Sequence, residues 1–298
     1  MTLNEFEENL KKAPTTKGFI NHINILKERY GNEYIQFAEE ILQLIEMLDL
    51  DATKIVRRRT LEFLKEQNFL IKNKDYSGTD FDEVREKVYD NEKVMLETYM
   101  PGLMLGRMYI LMIYEMYRFF VKEFLSRLKE DAVEIEIGCG AGFNMWTVFK
   151  NHPQNKMFGY DISPYAIKFA SNMLAKAEIP SHSYELQYGN IMEGIDQPEE
   201  SMDFAILASV IEHLPAPQIG IREITGKLKK GGFLFLVTPI DVNSPDHLTN
   251  FESPEVVENM IAQENLEIIV KSILSAQDDF PDSKDTSKQL LYVAQKKA

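Results

Sequence analysis

A lone cysteine, Cys139, has no second thiol in the chain to pair with, so no internal disulfide can form, which fits a reducing cytoplasm. No uninterrupted apolar stretch approaches the roughly 20 residues of a membrane-spanning helix. Glu5, Glu7 and Glu8 follow soon after Met1, where a secretory signal would show basic residues and then an apolar run. A cytoplasmic protein without membrane insertion is expected. Positive charge is scarce as well: 33 Lys and Arg stand against 47 Asp and Glu, and eleven of the fourteen surplus negative charges fall in residues 131–298. So acidic a surface repels a polyphosphate backbone, which disfavours nucleic acid as a partner. The one compact basic run, Arg57-Arg58-Arg59, lies in a helical pattern beside Glu62 and Glu66 and reads as a solvated face. There is no internal repeat and no low-complexity tract.

What is present is ample apolar material, 44% hydrophobic and 11% aromatic over 298 residues, enough for one large or two smaller packed domains. The two halves differ in period. From Phe19 to Leu48 apolar residues recur at three- and four-residue steps, interrupted at Gly31, and a third helix is expected after Asp51, a good N-cap. Residues 73–80 are polar and turn-rich, and a charged helix is expected from Phe81 to Thr98. Leu103–Leu128 is apolar nearly all round, crowded with Met, Tyr and Phe, which suits a helix clamping residues 1–130 onto the rest or lining a substrate pocket.

From Asp131 onward strands alternate with helices. Strands are expected at Val133–Ile137, Lys156–Asp161, Tyr184–Tyr188, Asp203–Ala208, Phe233–Thr238, Leu266–Leu274 and Leu290–Gln295. Helices are expected at Phe143–Lys150, Pro164–Lys176 and Pro217–Lys229, with a short one in Ser209–His213. This order gives a doubly wound, mostly parallel seven-stranded α/β sheet with an antiparallel closing strand, preceded by an all-α N-terminal domain. The boundary is placed at 130/131, with residues 1–130 as a helical cap or a surface for homodimerisation.

The first strand runs into Gly138-Cys139-Gly140-Ala141-Gly142 and then a helix. Glycine lets a ligand approach the backbone there, and the helix start offers unpaired N–H groups. The spacing is G-x-G-x-G, with Phe143 where a dinucleotide fingerprint needs its third small residue. Glu136, two residues before the first glycine, suits an amino group and would repel a pyrophosphate. Glu136-Ile137-Gly138-Cys139-Gly140-Ala141-Gly142 resembles the first motif of the class I S-adenosylmethionine-dependent methyltransferases, and the run from Asp203 to Pro215, with Glu212-His213, is similar to the fourth motif of their quinone and small-molecule O-methyltransferase branch.

That resemblance implies S-adenosyl-L-methionine as cofactor, held by residues 131–298, and a small-molecule acceptor. Asp161 closes the second strand, where its carboxylate can take both ribose hydroxyls; its alternative role is to cap the helix that Pro164 starts. Ile162 would pack on the adenine edge. Asn190, in Gly189-Asn190-Ile191, stands where the family often has Asp against the adenine amino group, and could equally cap a turn. Ser209 to His213, beyond the fourth strand, should face the transferred methyl group. His213 is the expected general base for a hydroxyl acceptor, Glu212 its orienter or a substrate contact, and His247 a second base candidate, which points to O-methylation. A rival small-molecule N- or C-methyltransferase would share every cofactor motif, and a non-catalytic cofactor-binding module is a further alternative. A related Glu-x-x-Glu-His run holds a metal in some RNA 3′-end methyltransferases, but Ser209 replaces its first Glu, so no metal is expected.

Overall fold

Thr2 opens the chain's first helix, α1 (Leu3–Lys11), with a capping box: its hydroxyl accepts from Glu5 N at 3.3 Å while the Glu5 carboxylate accepts from Thr2 N at 2.8 Å. The computed structural model describes residues 1–73, 86, 89–240, 242, 244, 247–278, 280 and 286–298, and of 66–73 the backbone only. The polar stretch 74–80 and most of the helix expected from Phe81 lie outside the described residues. α2 (Phe19–Met47) bends at Gly31, whose φ of 52° and ψ of −128° are far from helical, as the interrupted periodicity suggests. Asp51 accepts from Lys54 N at 2.9 Å and starts α3 (Ala52–Asn73). Leu61, Phe63 and Leu64 of this helix are exposed.

A turn of helix at Glu92–Val94 and a π-helical turn, Met95–Tyr99, lead directly into α4 (Met100–Tyr109), so Pro101 sits in a first helical turn rather than at a break. The long helix expected over 103–128 is divided at Ile110, whose backbone is extended, and α5 (Leu111–Phe119) follows before a second π turn, Phe120–Phe124. Its clamping role is visible. Phe120 and Phe124 pack on Phe235 at centroid distances of 4.9 and 5.5 Å, and Phe124 meets Phe204 edge-on at 5.7 Å. Arg57, Arg58 and Arg59 are engaged locally, Arg57 with Asn9 O and the other two with Glu62.

The second half alternates β1 (Val133–Ile137), α6 (Phe143–Asn151), β2 (Lys156–Asp161), α7 (Pro164–Lys176), β3 (Tyr184–Tyr188), β4 (Met202–Ala208), α8 (Pro217–Lys227), β5 (Leu228–Ile240), α9 (Pro254–Gln263), β6 (Leu266–Ser275) and β7 (Lys288–Lys296). The strand order is β3-β2-β1-β4-β5-β7-β6, parallel from β3 to β5, with β7 antiparallel to both β5 and β6. α9 has no counterpart in the sequence expectation.

Strand alternation sends Ile135, Ile137, Leu234 and Leu236 to one face, under Ile221 and Ile224 of α8 and Val257 and Ile261 of α9. Phe204, Phe235, Val237 and Val293 point to the other face and share a core with α6, α7 and the N-terminal helices. Glu134 and Glu136 alternate with Ile135 and Ile137 along β1, and both are buried.

Candidate active site

Four strand ends and one N-terminal helix meet at the carboxyl edge of the sheet, where the ligand sites of open parallel sheets lie. They enclose a cavity of about 440 Å³. Its wall takes Gly138 and Gly140 from the turn after β1, Asp161 and Ile162 from β2, Asn190 and Ile191 after β3, and Ser209 and His213 after β4. These eight sequence-predicted residues are therefore brought together.

The turn is tied to the end of β2. Gly138 and Cys139 donate their N–H groups to Tyr160 O at 2.7 and 3.0 Å, and Gly140 N donates to Asp161 Oδ2 at 2.9 Å. Gly140 has a φ of 50°, and a Cβ built on it meets nothing nearer than 3.8 Å, which is the open cradle a bound nucleoside requires. Asp161 Oδ1 accepts from Ser163 N at 2.8 Å, so each carboxylate oxygen keeps a lone pair for a hydroxyl. Burial raises the Asp161 pKa, and bonds from the Ser163, Gly140 and Ile162 backbone oppose that rise. The cap of α7 is Ser163, whose hydroxyl accepts from Ala166 N, and not Asp161.

Asn190 lines the cavity while its amide is engaged in capping: Oδ1 accepts from Met192 N at 3.1 Å and Nδ2 donates to Glu193 Oε1 at 2.9 Å. Ser209 holds a φ of 56°, a sparsely populated value for a residue with a side chain, at the point where β4 gives way to the 3₁₀ turn Ile211–His213.

Five predicted residues lie outside the cavity wall. Cys139 is buried and its thiol pKa is pushed up by burial, as befits a filler. Gly142 lets the head of α6 approach α7, since a Cβ there would come within 3.1 Å of Ala170. Glu136 faces α6 and accepts from Asn144 Nδ2 at 2.7 Å. Glu212 is 2% exposed, and its Oε2 accepts from Thr238 Oγ1 at 3.0 Å while Oε1 lies 4.0 Å from His213 Nε2. His247 packs edge-on against His213 at 5.1 Å between centroids, and its Nδ1 is 3.1 Å from Val242 O. A carbonyl only accepts, so Nδ1 carries the proton and Nε2 is the basic nitrogen. Leu248 N and Thr249 N donate to Glu212 O, which fastens the loop of His247 to the turn of His213. Glu212, His213 and His247 can each offer a ligand atom within 4.8 Å of the others, the one such grouping among the described residues.

Of the other cavity residues, Leu103 falls in the stretch expected to clamp or line a pocket, Val210 in the run expected to face the methyl group, and Ile137 and Gly189 in motifs already singled out; Tyr89, Met95, Tyr99 and Met100 from the helical half, and Met192, Glu193, Leu214 and Pro215 from the sheet half, were not anticipated. Tyr89 is held by its carbonyl, which accepts from Ser163 Oγ at 2.6 Å, and its ring stands edge-on to Tyr99. Met, Tyr and Leu on one side and Asp161 and His213 on another make a pocket that is apolar with few polar groups, the usual character of a small-molecule site.

The chain is similar to known methyltransferases. A probable methyltransferase ltbC of Aspergillus luteorubrus is 28% identical over 116 residues, 37% of this chain and 41% of that protein. A chloroplastic 2-methyl-6-phytyl-1,4-hydroquinone methyltransferase of Oryza sativa subsp. japonica is 30% identical over 110 residues, 36% of this chain and 30% of that protein. A demethylmenaquinone methyltransferase of Listeria monocytogenes is 25% identical over 122 residues, 41% of this chain and 50% of that protein. The chain thus matches half or less of the length of these relatives. A geranyl diphosphate methyltransferase crystallised with GPP and sinefungin shares the fold, with a TM-score of 0.53 at 14% identity over 66% of this chain and 83% of that one. The family model described as a methyltransferase domain matches residues 128–295, all of the sheet but its last residue, and the chain belongs to that family.

Proposed function

We propose that this chain is an S-adenosylmethionine-dependent methyltransferase acting on a small apolar acceptor at a hydroxyl oxygen. The observation that carries the reading is the junction of Gly140 and Asp161 at an open turn, in the same cavity wall as His213. Asp161 would receive the ribose hydroxyls, Ile162 and Ile191 the adenine faces, and the turn Gly138–Gly140 the rest of the nucleoside. When bound, the cofactor supplies a methyl group already activated on a sulfonium. The protein's own work is then to position the acceptor and remove its proton. His213 takes that proton, and Glu212, a buried carboxylate 4.0 Å from Nε2, stabilises the imidazolium that forms. His247, edge-on to His213, is the second base candidate.

Apolar walls from Met95, Tyr99, Met100 and Leu103 favour an aromatic or prenylated acceptor over a sugar. Two relatives are named for a hydroquinone and a menaquinone precursor, and that favours a second reading. A phenol that has lost its proton to His213 shares the charge with its ring carbons, so the same base serves methylation at carbon. Residues 1–130 act as the cap domain over residues 131–298. A homodimer through the N-terminal helices rests on exposed Leu61, Phe63 and Leu64, and a cytoplasmic setting on the single buried thiol.

Calorimetry with S-adenosylhomocysteine, followed by transfer from methyl-labelled cofactor to simple hydroquinones with mass spectrometry of the product, tests this. Binding and a labelled ether are expected. A labelled ring carbon selects the second reading, and absence of binding at high micromolar concentration removes both.

A further inference from the structure

Arg59 belongs to the compact basic run of α3, yet only 29% of its side chain is exposed. Its stem lies on α4 at Gly102, where a Cβ would come within 2.7 Å of Arg59 Cγ. Glycine is the poorest helix former after proline, and this close approach explains its place inside α4. From there the guanidinium reaches over the ring of Tyr99, 5.0 Å from the centroid. Tyr99 lines the cavity and Arg59 does not, so the ring stands between the cation and the cavity.

Tyr89 meets Tyr99 at 80° with 6.3 Å between centroids, and both line the cavity, so the two rings make a corner of its wall. A flat aromatic guest can lie on one ring and stand edge-on to the other. A cation over one face of a ring draws π density toward itself and leaves the opposite face poorer in electrons. Among the described residues the wall contains neither Lys nor Arg, and its charged members are Asp161, Glu193 and His213. An acceptor that gives up its proton there becomes richer in electrons in a wall with two carboxylates, and only the imidazolium of His213 offsets them. Arg59 adds a permanent cation from behind Tyr99. Its described counter-ion, Glu62, accepts from Arg59 Nη1 and from Arg58 Nε, each at 3.3 Å, so one carboxylate is shared between two guanidinium groups.

We infer that Tyr99, made electron-poor on its cavity side by Arg59, selects an electron-rich aromatic ring as the methyl acceptor. Tyr99 is the residue that touches the acceptor, and Arg59 is a positioning residue that acts through it. The inference rests on the proposed transfer to an aromatic acceptor and adds which ring is taken: a phenol or hydroquinone enriched by electron-donating substituents. The attraction asks only for a flat, electron-rich face, so it sets preference among acceptor rings and leaves cofactor binding alone.

Two acceptors, methylhydroquinone and chlorohydroquinone, decide the matter, because methyl and chlorine are alike in size and opposite in electronic effect. KM and kcat are measured for each at pH 7 with methyl-labelled cofactor. Intrinsic differences between the two acceptors are the same for every variant and cancel when preferences are compared. Arg59→Met keeps the stem and loses the charge; it is expected to raise the KM of methylhydroquinone about threefold, as loss of a cation–π contact does. The preference for methyl over chlorine in KM should shrink about twofold in the same variant. Arg59→Lys and Tyr99→Phe should keep the preference, Tyr99→Leu should abolish it, and Arg59→Met should add nothing to Tyr99→Leu. S-adenosylhomocysteine affinity of Arg59→Met, read by calorimetry, should stay within about twofold of wild type. An unaltered preference in Arg59→Met would show that the charge does not reach the acceptor, and weakened S-adenosylhomocysteine binding would show that Arg59 only holds up the cap; either overturns the inference. Failure of the unaltered protein to methylate both hydroquinones while it still binds S-adenosylhomocysteine would instead remove the aromatic-acceptor reading beneath it.

Discussion

Asp161 Oδ2 accepts the backbone N–H of Gly140 across 2.9 Å, which locks the glycine turn of β1 to the acidic end of β2. The same carboxylate that shapes the turn is the group proposed for the ribose. Asp161→Asn keeps an oxygen for Gly140 N but loses one acceptor and the charge, while Asp161→Ala loses both. The expected order of affinity for S-adenosylhomocysteine is wild type, then Asn, then Ala, with Ala weaker by roughly tenfold or more. Near-equal binding by the three, measured by calorimetry, would show that the ribose is held elsewhere.

Two glycines of the turn should fail in different ways. A Cβ on Gly138 would stand 2.5 Å from Val210 Cγ2, so Gly138→Ala must displace the strand end that carries His213. A Cβ on Gly140 makes only ordinary contacts, with Gly138 O and Met100 Sδ at 3.8 Å, although its φ of 50° strains any side chain there. Gly140→Val is therefore expected to remain folded and lose the cofactor, and Gly138→Ala to lose thermal stability as well. Unfolding midpoints alongside ligand affinity separate the two, and loss of stability confined to Gly140→Val would contradict the absence of a clash at that Cβ.

Which sequence-predicted residues line the cavity follows from their kind of constraint. Gly140, Asp161, Ser209 and His213 lie at strand ends, and a strand end in an open parallel sheet faces the ligand edge wherever the neighbouring strands fall. Tyr99 ends the π turn before α4, and Met100 and Leu103 lie on α4 itself, where apolar residues crowd more than one side and periodicity does not say which side meets a site and which a core. The helix α9 escaped because Pro254 reads as easily as a loop as it does as a first helical turn. Asp161 and Ser163 both look like caps in sequence, and only the bond from Ala166 N to Ser163 Oγ distinguishes them. Strand alternation does place Glu134 and Glu136 opposite Ile135 and Ile137; that this face is covered by the helical half, with Arg107 nearby, depends on packing between segments far apart in the chain.

The π turn Phe120–Phe124 is the joint between the helices and the sheet. Phe120 is 2% exposed and contacts both Phe124 and Phe235. Phe120→Ala removes a large buried ring and is expected to cost about 3 kcal/mol or more in denaturant unfolding. Phe120→Leu, which fills much of the space, should cost about half of that or less. Because α4 belongs to the same helical layer and lends Met100 and Leu103 to the wall of the cavity proposed for the cofactor, S-adenosylhomocysteine affinity should fall with Phe120→Ala. An unaltered affinity would mean that the cap keeps its seat without this ring.

Glu134 has no exposed surface, accepts from Asn155 Nδ2 at 2.8 Å through Oε1, and leaves Oε2 without a partner. Burial pushes its pKa to about 8, from an ordinary value of 4.5, with Asn155 opposing and Asp203 adding to the rise. The folded state therefore favours the protonated carboxyl. Its contribution to stability is complete below pH 4.5 and declines as pH rises through 8, because holding the proton or burying the charge then costs free energy that the unfolded chain avoids. Glu134→Gln keeps an oxygen for Asn155 and carries no charge at any pH. The variant's unfolding midpoint should exceed the wild-type value by a margin that widens from pH 5 to pH 9. For a chain of this size each kcal/mol moves the midpoint by on the order of 2 °C, so a gap of several degrees is within reach of calorimetry. A gap that stayed constant or narrowed over that range would mean that Glu134 is ionised in the fold, with a cation or water at Oε2 to hold it so.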